Sequence, residues 1–300
     1  MPALAGAWLR LHNIAAPAAF VDEGALILTA LDARVLAIVE PLEQGRPWLA
    51  QLFLPAGWSP AFALETARLM TVGAGMITLS TVGWILNRLH GPIAALIGAM
   101  LWALMPLVVF HERMALQDPF VAASLALSIA LVIAGTTSKS HHGYVWPWFV
   151  GAGIFFGSAF LLKISSILAL PWRSLMYAAV QRRYVGQILA RRVMWVIFGF
   201  LLPLLTLGPN LLRLGTHLST YDALPALSIN GFFPSALARL AIWVGWYGGY
   251  AGWPLLLMVI SALFLVSLQR DQLALSSALG WFLSIPVAGL IYHNTYARYI

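Results

Sequence analysis

The sequence predicts an all-α fold, a polytopic bundle of about 7–9 membrane segments with an interfacial helix in its first external loop. Composition comes first: of 300 residues, 61% are hydrophobic and 9% charged, with mean hydropathy +0.85. A soluble domain is nearer half apolar and a quarter charged. So few charges cannot cover a water-facing surface, which excludes a soluble globular protein, and disorder fails on the same ground. The second observation is a series of uncharged stretches long enough for a hydrocarbon core of about 30 Å. The third is that the polar residues collect in a few connections between those stretches.

The stretches run over 69–86, 92–110, 119–135, 143–162, 193–212, 240–269 and 272–292. Residues 1–20 are weakly apolar, contain Arg10 and His12, and read as the end of a first helix. Without an internal repeat or charged linker, 1–300 is expected to be a single transmembrane domain. With no cysteine, neither a disulfide scaffold nor a cysteine-ligated metal is available. A net charge of +7 would suggest nucleic acid in a soluble protein. Here it reflects arginines held on the cytoplasmic face beside anionic lipid, and no nucleic-acid partner is expected. No phosphate-cradling glycine loop is present, which disfavours nucleotide-driven transport.

Three connections are too long and polar to be turns. Residues 22–65 carry Asp22, Glu23, Asp32, Glu40, Glu43 and Glu65. Within them 22–43 reads as an interfacial helix, because Asp32 and Arg34 interrupt its apolar run and would be costly to bury in lipid. Residues 173–192 carry Arg173, Arg182, Arg183, Arg191 and Arg192 and should be cytoplasmic. Residues 213–239 hold Arg213, His217, Asp222 and Arg239. Sidedness upstream then depends on 146–172. A single crossing places 22–65 in the cytoplasm, whereas a short hairpin of two legs of about 20 Å places them outside. The hairpin puts nine of the ten acids outside, but the single crossing puts slightly more Lys/Arg inside. Charge counting leaves both open.

Three features carry chemistry. Asp22-Glu23-Gly24 follows the first helix, where partial desolvation would raise carboxylate basicity and suit a general base; the alternative is a solvated helix N-terminus. His111-Glu112-Arg113, followed by Gln117-Asp118-Pro119, lies between two spans. Asp118 fits an N-cap before a first-turn proline, a role compatible with catalysis or metal binding. Lys163 ends an apolar run and must either snorkel or find an anion.

In order along the chain, these residues resemble the GT-C superfamily of membrane glycosyltransferases, especially its protein O-mannosyltransferase and aminoarabinose-transferase branches. The resemblance is carried by Leu9-Arg10-Leu11 before Asp22-Glu23-Gly24, by Glu65-Thr66-Ala67-Arg68-Leu69, and by Asn87-Arg88-Leu89-His90-Gly91. It continues through Ala103-Leu104-Met105-Pro106, Arg113 with Asp118-Pro119, Gly157 to Lys163, and Arg298-Tyr299. It implies the hairpin topology, an integral multi-pass protein of the plasma (bacterial inner) membrane, and catalytic loops on the outer side. It also implies transfer of a sugar, with inversion, from a polyprenyl-phosphate-linked donor to a lipid, glycan or protein acceptor. Because the lipid phosphate is a weak base, one carboxylate and some cations would suffice. Asp22 is then expected as the base, Glu23 and Asp118 as orienting groups or metal ligands, and Arg113, Lys163 and Arg298 as phosphate-binding groups. A divalent metal is allowed but not required, with Glu23, Glu112 and His111 as candidate ligands. Against the family pattern, the first helix and the C-terminal part are expected to be incomplete. The rival readings are a secondary transporter, which would need broken helices and repeated halves, and a non-catalytic membrane subunit.

Overall fold

A computed structural model of the chain describes residues 1–15, 23–24, 27–28, 62–137, 145–163, 166 and 187–208. These residues all belong to one compact unit of Met1–Ser166 and Gly186–Leu218; a second unit, Ile167–Val185 with Ser219–Ile300, lies outside the described residues. The regular elements are all helical: α1 Pro2–Leu11, α2 Ala63–His90, α3 Pro92–Leu104, α4 Pro106–Arg113, α5 Asp118–Thr137, α6 Trp146–Leu162 and α7 Gln187–Leu204, then a 3-10 turn at Leu205–Leu207. The all-α expectation therefore holds for the described residues. Most of the interfacial helix expected over 22–43, and the spans expected over 240–269 and 272–292, lie outside them.

Of these helices α2, with 28 residues, and α5, with 20, are long and apolar enough to cross a membrane; α3 and α6 are shorter apolar helices. Apolar residues also cover the outside of the bundle. Ile93, Ile97, Leu101 and Leu104 form an exposed stripe along α3, and Met194, Ile197, Phe198 and Leu201 another along α7. Stripes of that extent are liabilities in water and ordinary contact surface in lipid. Hydroxyl groups in α2 are satisfied within the helix: Thr71 donates to the Arg68 carbonyl at 2.7 Å, Thr78 to Ala74 at 3.1 Å, Ser80 to Met76 at 2.8 Å and Thr81 to Ile77 at 2.7 Å. This back-bonding lets polar side chains sit where water is absent.

Proline breaks one expected span. The 92–110 stretch, read as a single crossing, divides at Met105 (φ −62°, ψ 115°) into α3 and α4. Pro106 has no N–H to continue the ladder and forces the residue before it into extended backbone.

Along the bundle α2 runs away from the acidic end, α3 and α4 return to it, α5 leaves it, and α6 comes back. Ser128 of α5 donates to the Ala152 carbonyl at 2.5 Å, and Gly135 faces Trp148 and Phe149, which fixes α5 and α6 as antiparallel. Helices α6 and α7 are instead parallel. Gly199 packs on Val150, Gly153 on Val196 and Phe200, and Gly157 on Phe200 and Pro203, while Phe160 and Leu161 meet Leu207 in one cluster. Partner numbers rise together along both helices. The end of α6 and the start of α7 thus lie at opposite ends of the bundle. A single crossing over 146–172 would have made the two helices antiparallel, so the arrangement agrees with the hairpin reading. Its first leg is longer than expected, since α6 has 17 residues, about 25 Å at 1.5 Å per residue.

Candidate functional site

At one end of the bundle the loops gather most of the charged residues in the described part. Small residues bring them close: Ala63 and Ala67 of α2 pack on Met114, Ala115 and Leu116, with Ile27 and Phe120 alongside. Ala67 and Ala115 are both fully buried, so the α4–α5 connection rests directly on the first turns of α2.

Glu23 and Arg68 meet in this contact, each with a fully buried side chain. Arg68 donates from Nε to Glu23 Oε1 and from Nη2 to Oε2, both at 2.8 Å. Its Nη1 donates to the Ile14 carbonyl at 2.9 Å. The Ala115 N–H donates to Glu23 Oε1 at 2.6 Å. A bidentate pair with further hydrogen bonds is the geometry in which a buried ion pair can offset its desolvation. Glu23 therefore ties the first loop, α2 and the α4–α5 connection together.

Asp118 is the first residue of α5, followed by Pro119, and the Gln117 carbonyl accepts the N–H groups of Phe120 and Val121. Its carboxylate Oδ1 accepts from Lys163 Nζ at 2.5 Å, with the two side chains 36% and 15% exposed. Lys163 stands just past α6 in extended backbone (φ −157°, ψ 108°). The lysine expected either to snorkel or to meet an anion has met one, an acid already singled out in the sequence. Arg113 donates from Nη2 to the carbonyls of His12 at 2.8 Å and Asn13 at 3.1 Å, supplying donors to the end of α1.

Several buried polar atoms around this pair lack a protein partner: His111 Nδ1, Arg113 Nε, Gln117 Oε1 and Ser166 Oγ. Burial pushes the His111 pKa down; the nearby Asp118 carboxylate opposes that shift and Lys163 adds to it. Burial pushes Glu112 up, against the charge and hydrogen bond of Arg10, which donates from Nε to Glu112 Oε2.

The metal candidates do not form a ligand set. Among the described residues no group of three His, Asp or Glu side chains could hold a metal ion; Glu23 is clasped by Arg68 and Glu112 by Arg10. Asp22 and Arg298 lie outside the described residues. Arg68 and Arg10 are not among the site residues expected from sequence. Their signal was an arginine inside an otherwise apolar helix, which in lipid demands a carboxylate or carbonyl partner.

The family model of the dolichyl-phosphate-mannose-protein mannosyltransferases matches residues 45–212, more than half of the chain. The chain belongs to that family. No curated protein and no solved structure matches it. The mannosyltransferase match covers Arg68, Arg113, Asp118 and Lys163, and Glu23 lies upstream of it. Members of this mannosyltransferase family are integral membrane glycosyltransferases, in keeping with the exposed apolar stripes on α3 and α7.

Proposed function

We propose that the chain transfers a sugar, with inversion, from a polyprenyl-phosphate donor to a hydroxyl acceptor on the outer side of the membrane. The observation that carries the reading is the buried Glu23–Arg68–Ala115 junction. It holds Glu23, the neighbour of Asp22, at the same end of the bundle as the Asp118–Lys163 pair. Lys163, the cation for the phosphate, falls within the residues that match the family, and the acidic loop that supplies the base, upstream of the match, is anchored through Glu23 at the same end.

Asp22 is the general base. As the acceptor oxygen bonds to the anomeric carbon, Asp22 takes the acceptor proton and the bond from that carbon to the phosphate oxygen breaks. Polyprenyl phosphate leaves with the electron pair. Lys163 and Arg113 hold the phosphate, joined by Arg298, and Asp118 orients Lys163. Such fixed cations stabilise charge that grows on the leaving oxygen, and a single displacement inverts the anomeric centre. The outer side is assigned because Arg88, Arg191 and Arg192 lie at the opposite end of the bundle, and basic residues are retained in the cytoplasm.

The test is transfer from radiolabelled polyprenyl-phosphate mannose by the purified protein, with membranes of a strain lacking it as the acceptor source. Labelled product together with free polyprenyl phosphate is expected. Absence of both with mannose and with aminoarabinose donors would overturn the reading.

A further inference from the structure

Helix α3 ends in a break that leaves carbonyl groups without donors. Pro106 lacks the N–H that would meet the Trp102 carbonyl, and the last turn of any helix has unpaired carbonyls. Arg10, from α1, fills that gap. Fully buried, it donates from Nη1 to the Ala103 carbonyl at 3.1 Å and to its own helix at Gly6 at 3.0 Å. Its Nη2 makes a long 3.5 Å contact with the Trp102 carbonyl. Its Nε donates to Glu112 Oε2 on α4, and Glu112 Oε1 accepts from the Trp102 indole at 3.2 Å.

One guanidinium thus joins the end of α3 to the acid of α4 across the break. Only a planar fork with several donors can do this; a lysine could meet one partner but not the set. Two glycines make room for the pair. A Cβ on Gly75 would lie 2.5 Å from the Glu112 carboxyl, and one on Gly6 would lie 3.2 Å from Arg10 Nη1.

We infer that Arg10 is a positioning residue for transfer: by capping broken α3 and gripping Glu112, it fixes α4 and so sets where Asp118 stands against Lys163. Four residues separate Arg113, the end of α4, from Asp118, the start of α5, so a swing of α4 reaches the site directly. The inference rests on the proposed transfer for its kinetic consequence but not for its structural one.

The test compares R10M, R10K and the double variant R10M/E112L with the wild type. R10M leaves Glu112 buried without its cation and should lower the Tm. The double variant removes both charges, and apolar replacement of a buried pair commonly restores stability. It should recover the Tm while transfer kcat stays about 10²-fold down with donor KM unchanged. R10K keeps the charge and should show the same split between kcat and KM, which covers the case in which R10M does not fold. Nitroxides on cysteines at Ile93 and Phe110, both exposed, report the α3–α4 angle in this cysteine-free chain. Their distance distribution should be narrow in the wild type and shifted or broadened in R10M/E112L. Recovery of kcat together with Tm in the double variant, or an unchanged distribution, would overturn the inference. If the wild type transfers no sugar, the proposed function fails and the distance measurement alone decides the role of Arg10.

Discussion

Arg68 and Glu23, 45 residues apart in the chain, close on each other through two parallel 2.8 Å hydrogen bonds with neither side chain exposed. The guanidinium fork matches the two oxygens of the carboxyl group one to one. With the Ala115 N–H on the same oxygen, Glu23 is fully committed to holding the loop. Its role in the proposed reaction is therefore orientation of its neighbour.

Arg68→Met should be severely destabilising, by about 3–5 kcal/mol, because it leaves a buried carboxylate without its cation. Thermal unfolding of the purified protein measures this. Glu23→Gln, which keeps the shape and one acceptor, should cost less than Arg68→Met. Equal stability of Arg68→Met and wild type would mean that the junction holds nothing.

Asp22→Asn keeps shape and an acceptor oxygen while abolishing basicity. Sugar transfer should fall by roughly 10²–10⁴-fold with donor binding retained. Asp32→Asn, further along the same loop, is the control and should transfer normally. Near-normal transfer by Asp22→Asn would pass the role of base to Asp118.

Lys163→Met separates phosphate binding from structural pairing. The Lys163–Asp118 pair is partly exposed, and such pairs contribute at most about 1 kcal/mol to stability. The Tm should therefore hold while affinity for polyprenyl-phosphate sugar drops about tenfold or more, the usual scale for losing one charge-assisted hydrogen bond. Unchanged donor affinity would leave Lys163 as a tether for α5 alone.

Sidedness can be read by thiol labelling of single cysteines. Asn13 and His90 are exposed and lie at opposite ends of the bundle, whereas Gln117 is only 3% exposed and makes a poor probe. Asn13→Cys should react with an impermeant reagent in intact cells, and His90→Cys only after permeabilisation. The reverse pattern would turn the molecule over.

Composition and span length made the all-α membrane class legible, since 9% charge admits little else. Lys163 and Asp118 were each picked out from sequence, but their pairing was not, because antiparallel register between α5 and α6 depends on contacts such as Ser128 to Ala152. The break at Met105 is written in Pro106 but masked by uniformly apolar flanking residues. Arg10 and Arg68 were visible as misplaced charges. Their partners Glu112 and Glu23 lie 102 and 45 residues away, a distance over which periodicity gives no guidance. Counting of Lys and Arg leaves the topology open, and the parallel run of α6 and α7 agrees with the hairpin reading.

That parallel run also bears on what holds the two helices together. Backbone presses on backbone where Gly153 and Gly157 face the Val196–Pro203 face of α7, and Gly199 faces Val150. Two helices pointing the same way are not the two arms of one antiparallel hairpin, so their packing is a contact that local chain order does not supply. Their union then depends on the three glycines at the contact rather than on the helices' place in the chain. A side chain at Gly153 or Gly199 would meet backbone of the other helix at 2.1 Å, so even alanine there forces the two helices apart.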